Sequence, residues 1–244
     1  MAITGHQEHE TIRAVEDYER VPEGVNPPLR FPAYRSTVTR APDRALVVQP
    51  HTLSELTGPV YAHRRVGPTD HDLTAQHEGS PIGERIIVHG RVLDGAGRPL
   101  RRTLVEIWQS NAAGRYCHDR DNSIAPLDPN FTGGGRTLTD DDGRYRFITV
   151  KPGPYPWKNH HNAWRPAHIH FSLFGPAFVT RLVTQMYFPG DPLFPFDPIF
   201  GSVPEATRSR LVSEFDLDSG VPEEALAYRW DIVLRGPAAT PMET

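Results

Sequence analysis

Cysteine is almost absent: Cys117 is the only one in 244 residues, so no intrachain disulfide can form. The opening run MAITGHQEHE lacks the apolar stretch of a secretory signal, and a reducing cytoplasm is the expected location. Long apolar runs are missing as well. Charges or prolines interrupt each of them well short of the roughly 20 residues that cross a bilayer, so no membrane association is expected. No block of one charge sign stands out. The formal net charge of -4 comes from interspersed acids and bases, and nucleic acid is not an expected partner. Long helical periodicity is also scarce, in keeping with 25 prolines, because an interior proline removes a backbone donor and clashes with the preceding turn.

Extended structure must therefore carry the fold. Residues 1–81, rich in Pro, Arg, Asp and Glu, hold only brief periodic pieces at Ala45 to Val48 and a helix-like Thr52 to Leu56, and read as an extended N-terminal arm. Residues 82–244 are strand-like and read as the functional domain. Arg85 to Leu93, the turn Asp94 to Gly97 and Thr103 to Trp108 are expected to form one hairpin. Thr137 to Thr139, the turn Asp140 to Gly143 and Arg144 to Val150 are expected to form a second. Ala167 to Phe174 and Arg181 to Tyr187 read as further strands. Tyr228 to Leu234 alternates Tyr228, Trp230, Ile232 and Leu234 against Arg229, Asp231 and Arg235 as one more. A short helix is expected at Pro204 to Phe215, with proline near its start. Many short strands with Gly and Pro turns predict an all-β fold: a β-sandwich of mixed sheets with few short helices.

The most informative stretch is Trp164-Arg-Pro-Ala-His-Ile-His-Phe-Ser-Leu-Phe174. Side chains two apart on a strand share a face, so His168 and His170 point together while Ile169, Phe171 and Leu173 point into the opposite layer. Two imidazoles on a stiff strand can ligate a metal, although an isolated His-x-His is more often a solvated strand face. No glutamate follows at cupin-like spacing, no His-Glu-x-x-His helix exists, and a lone cysteine excludes cysteine-rich zinc sites. The run from Asp119 lacks the glycine and glutamate of a calcium loop. Upstream, Lys151-Pro-Gly-Pro-Tyr-Pro-Trp157 holds Tyr155 between two prolines, where it is a structural aromatic, a rigidly presented phenol or part of a proline-rich recognition peptide. Tyr116 lies where a loop leaves the strand ending at Trp108. Its neighbour Cys117 reads as a small packing residue, and His118 as a surface or substrate-side group.

Together these segments resemble the intradiol ring-cleaving dioxygenases. The resemblance runs from about Tyr34 to Gly236 and includes Pro81-Ile-Gly-Glu-Arg-Ile-Ile-Val88, Leu127-Asp-Pro-Asn-Phe131, Lys151 to Trp157, Trp164 to Phe171, Tyr187-Phe-Pro-Gly-Asp-Pro192 and Tyr228 to Gly236. It implies one non-haem Fe(3+) per chain held by Tyr116, Tyr155, His168 and His170, a catechol-type substrate and O2, with Tyr155 the ligand released when substrate chelates. It further implies an electrostatic role for Arg165, a supporting one for Gln185, and a substrate pocket lined by Tyr34, Trp157 and Ile199. Catechol and hydroxyquinol enzymes of the family carry a helical N-terminal dimerisation region. The proline-broken region here fits instead the type that pairs an iron-bearing β subunit with a homologous α subunit lacking the ligands. The reading from a different class is a metal-free sandwich module of transthyretin type, for which the turn at Thr139 to Tyr145 is equally natural.

Overall fold

The computed structural model describes residues 21–47, 66–174 and 181–243. These residues form strands β1 (Arg85–Leu93), β2 (Leu104–Trp108), β3 (Gly134–Leu138), β4 (Arg144–Val150), β5 (Tyr155–Pro156), β6 (Trp164–Arg165), β7 (His168–Phe174), β8 (Leu182–Tyr187), β9 (Glu214–Phe215), β10 (Leu226–Arg229) and β11 (Ile232–Val233). The α-helices are short: α1 (Arg35–Arg40), α2 (Pro198–Ser202) and α3 (Glu205–Arg208). Among the described residues no helix is long and apolar enough to cross a membrane.

Two sheets face each other, as the alternation predicts. One runs β3-β2-β7-β8 and is antiparallel throughout. In the other, β1 is antiparallel to β4 and parallel to both β10 and β11, with β9 at the edge of β10. Alternate residues of β1, namely Ile86, Val88 and Val92, share one core with Tyr145 and Phe147 of β4 and with Val105, Ile107, Ile169 and Phe171 of the opposite sheet. Each such buried side chain contributes about 1.5–3 kcal/mol of transfer free energy. Leu73, from the segment before β1, is wholly buried in that core, and its N–H bonds the Ile148 carbonyl at 2.8 Å.

Neither expected hairpin closes. Both turns are present, with the Gly97 N–H donating to the Asp94 carbonyl at 3.0 Å and the Gly143 N–H to the Asp140 carbonyl at 3.1 Å. Yet β1 pairs with β4, and β2 with β3 and β7, so each turn passes the chain from one sheet to the other. After the first turn, return pairing is limited to a bridge between Leu93 and Pro99. Pro99 has no donor to extend it, and Arg102 sits at φ 53, outside the extended region.

The strand expected over Tyr228 to Leu234 is divided. Gly90 lies so close to Trp230 that a Cβ there would strike its carbonyl oxygen, and Asp231 Oδ1 takes the Arg91 N–H at 2.8 Å in place of a backbone acceptor. The Trp230 carbonyl is satisfied by the Tyr145 hydroxyl at 2.6 Å. The helix expected over Pro204 to Phe215 is shorter: α3 gives way to a 3-10 turn at Ser209–Leu211, and Phe215 belongs to β9. Ser213 ends it, because its N–H and hydroxyl both bond the Tyr187 carbonyl, at 2.9 and 3.0 Å, and draw the chain onto the sheet. Ala45, Leu46 and Val47 are irregular, while Val48 and Thr52 to Leu56 lie outside the described residues.

Candidate metal centre

β7 has two faces, and the alternation separates them cleanly. Ile169, Phe171 and Leu173 enter the core, while His168 and His170 lie on the other face with ring centroids 5.0 Å apart. Both imidazoles are buried, at 1% and 9% exposure. His168 Nδ1 donates to the Pro166 carbonyl at 2.7 Å, which fixes the tautomer and leaves Nε2 as the electron-pair donor. Burial holds His168 well below the ordinary imidazole range, helped by the nearby Arg165 and His170. Burial also lowers His170, partly offset by Glu243, whose Oε2 lies 3.3 Å from Nδ1. Trp108 is the cross-strand partner of His170 and stacks on it at 4.8 Å and 4°. Both histidines are therefore neutral, oriented and able to donate through Nε2.

Two loops bring phenols onto the same face. Asn111 organises them: its Oδ1 accepts the Ala113 and Arg115 N–H groups at 3.0 Å each, and its carbonyl accepts the Gly114 and Gly153 N–H groups at 3.0 and 2.9 Å. A Cβ on Gly114 would run into the Pro154 carbonyl, and one on Gly153 into the Ala112 carbonyl. Only glycine at these places lets the two backbones touch. The Tyr116 and Tyr155 rings consequently meet edge to face at 5.7 Å. The Tyr116 hydroxyl lies 3.3 Å from His168 Nε2, and the Tyr155 ring is 5.7 Å from that of His168. Asp121 Oδ2 accepts the Tyr116 N–H at 2.8 Å and steadies the loop. Cys117 is exposed, not the packing residue expected, because the chain turns outward after Tyr116; His118 is exposed too.

Among the described residues no three His, Cys, Asp or Glu side chains come together as metal ligands, and the further oxygen donors beside the two imidazoles are the Tyr116 and Tyr155 phenols. Burial pushes the Tyr116 phenol well above its ordinary pKa and Tyr155 above it as well. A strongly Lewis-acidic cation is the kind of ion that offsets such a cost. Two imidazoles and two phenols, as a donor set, suit a hard, highly charged ion better than calcium or a soft metal.

Arg165 pairs with Tyr155 across β5 and β6 and is buried at 3% exposure. Its Nε is 3.2 Å from Asp197 Oδ2, its Nη2 donates to Gln185 Oε1 and to the Tyr187 hydroxyl at 3.3 Å, and it lies over the Trp157 ring at 5.4 Å. Burial opposes its charge, but Asp197 and the surrounding phenols outweigh burial and keep it protonated. Trp157 meets Tyr34 at 5.4 Å, and Ile199 sits buried in α2. The structure thus gathers Tyr116, Tyr155, His168, His170, Arg165 and Gln185, with Trp157 and Tyr34 beside them. Sequence reasoning missed Trp108, Asn111, Asp121, Tyr187, Asp197 and Glu243. Of these, only Asp197, directly before Pro198, carried a local signal, that of a helix start.

A family model described as Dioxygenase matches residues 56–236, and one described as Protocatechuate 3,4-dioxygenase beta subunit N terminal matches residues 18–52. The chain is 60% identical over 220 residues to the protocatechuate 3,4-dioxygenase beta chain of Burkholderia cepacia, covering 89% of this chain and 94% of that one. It is 31% identical over 161 residues to the protocatechuate 3,4-dioxygenase alpha chain of the same organism, covering 65% of this chain and 76% of that one. Among solved structures, catechol 1,2-dioxygenase from Acinetobacter sp. ADP1 superposes with a TM-score of 0.52 and 26% identity, over 66% of this chain and 55% of that one. This chain spans only about half the length of that catechol enzyme. Fold, matched residues and overall identity agree: the chain belongs to the intradiol ring-cleaving dioxygenase family.

Proposed function

We propose that this chain is the iron-bearing β subunit of a cytoplasmic protocatechuate 3,4-dioxygenase. It would open protocatechuate (3,4-dihydroxybenzoate) with O2 to 3-carboxy-cis,cis-muconate in the β-ketoadipate route of aromatic catabolism. The observation that carries this reading is the convergence of two phenols and two neutral imidazoles on one face of β7. The 60% identity to a beta chain so named supports the substrate.

Tyr116, Tyr155, His168 and His170 would hold one non-haem Fe(3+) per chain. Fe(3+) held there would supply the electron-withdrawing chemistry that makes a catechol-type ring reactive toward O2 without an external reductant. His168 and His170 present Nε2 because Pro166 and Glu243 occupy the Nδ1 positions. Tyr155 Oη is the acceptor for one catechol hydroxyl proton, and Pro154 and Pro156 hold the loop that carries it. Arg165 stays charged and stabilises negative charge developing on the ring or on oxygen. Gln185 holds the Nη2 edge of that guanidinium. Trp157 and Ile199 form the wall that excludes water. The Tyr34 hydroxyl takes the ring carboxylate.

A homologous α subunit completes the assembly in this reading. The similarity to both the alpha and the beta chain of one organism supports it. So do the exposed apolar side chains Ile124 and Leu127 in the segment after Tyr116, and Ile82, whose N–H bonds Asp128 beside them. The test is oxygen uptake with product analysis on the chain co-produced with its α-type partner. The expected result is equimolar use of O2 and protocatechuate, with both atoms of labelled O2 in 3-carboxy-cis,cis-muconate. Iron-replete protein that consumes no O2, or that cuts the ring outside the two hydroxyls, contradicts the proposal.

A further inference from the structure

We infer that Asp197 is a positioning residue for turnover, coupling the guanidinium of Arg165 to the wall that faces the substrate. The inference rests on the proposed catalytic role of Arg165. Asp197 stands between a 3-10 turn at Phe194–Phe196 and helix α2, and its side chain is fully buried. Its two oxygens serve different elements. Oδ1 accepts the Ile199 N–H at 2.9 Å, which caps α2 and fixes the residue assigned to the substrate wall. Oδ2 accepts from Arg165 Nε at 3.2 Å and from the Tyr187 hydroxyl at 3.0 Å.

The guanidinium is thereby held along one edge. Asp197 fixes Nε, Gln185 and Tyr187 fix Nη2, and the Trp157 ring covers a face. No described residue accepts from Nη1, which remains the donor edge available to negative charge that forms during reaction. A buried ion pair kept for stability alone needs only charge neutralisation. Here the same carboxylate also sets the register of Ile199, so guanidinium and substrate wall move as one unit. This is the arrangement expected of a preorganised electrostatic site, in which small misplacements are costly.

The experiment uses the iron-loaded αβ protein and compares Arg165→Ser, Asp197→Asn, Asp197→Ala and Arg165→Ser/Asp197→Asn. Iron content and the visible spectrum serve as controls for the metal centre. Asp197→Asn should lower kcat by about 100-fold with KM nearly unchanged, because asparagine still caps Ile199 while the guanidinium loses its anchor. Asp197→Ala should raise KM as well. In the Arg165→Ser background, Asp197→Asn should cost nothing further in kcat, since the two act as a unit. Full turnover by Arg165→Ser would remove the reading beneath this inference. A slow Arg165→Ser enzyme beside a fully active Asp197→Asn enzyme, or losses that simply add, would overturn the inference itself. Should Asp197→Asn fail to fold, Tyr187→Phe carries the test, because it removes one donor to the carboxylate and one acceptor of Nη2, loosening the same Arg165–Asp197 unit without changing charge. A several-fold fall in kcat at constant KM supports the coupling, and wild-type kcat refutes it.

Discussion

The two faces of β7 show how differently a core and a site are specified. On the inner face Ile169, Phe171 and Leu173 meet residues from both sheets, and any well-packed apolar set of similar volume would serve. On the outer face His168 and His170 are useful only because particular atoms from distant segments meet them. These are the Glu243 carboxylate, the Trp108 ring and the Tyr116 hydroxyl, added to the local Pro166 carbonyl. The inner face is tolerant in identity and expensive in volume. The outer face is tolerant of little in identity, yet adds less to stability.

The sharpest way to break this contrast is to exchange the consequences of the two faces. Tyr116→Phe or His168→Ala should abolish iron retention and reduce turnover by at least about 1,000-fold, while the protein still unfolds cooperatively. Phe171→Ala, next to His170 in the chain, should instead cost about 3–5 kcal/mol of stability, with the folded fraction still binding iron. Metal analysis beside thermal unfolding checks both. Iron loss from Phe171→Ala, or unfolding of Tyr116→Phe, would erase the distinction.

A smaller effect is expected one layer out. Glu243→Ala removes the carboxylate facing His170 Nδ1 and should weaken iron affinity by about 10–100-fold, measured by chelator competition, with little change in melting temperature. The smallest effect lies on the surface, away from both faces. The Gly67 N–H and Arg136 hold the Asp70 carboxyl below its ordinary value. A carboxyl whose folded pKa is depressed adds stability above its unfolded pKa of about 3.9, and that share is lost as pH falls through the folded value. Asp70→Asn should therefore flatten the acid limb of the stability curve below about pH 4, by no more than about 1 kcal/mol for so exposed a pair.

What could be read in the sequence divides along the same line. Alternation located most strands and placed His168 and His170 on one face, because the period of a strand depends only on local geometry. It could not say which strands pair. The turns at Asp94 and Asp140 have the chemistry of hairpins, but pairing depends on which sheet covers which apolar face, and here both turns cross between sheets. The ligand set came from resemblance, since nothing local ties Tyr116 to a histidine 52 residues away. Glu243, 73 residues from His170, and the bond from Asp197 to Arg165 exist only once the tail and the turn before α2 have docked.

The most direct test of the central claim is a visible absorption spectrum with iron determination on the chain co-produced with its α-type partner, before and after anaerobic addition of protocatechuate. Phenolate oxygens from Tyr116 and Tyr155 on ferric iron predict one iron per chain and a red-brown charge-transfer band that shifts when substrate binds. A folded, colourless and iron-free assembly that cannot be reconstituted with iron would contradict the account.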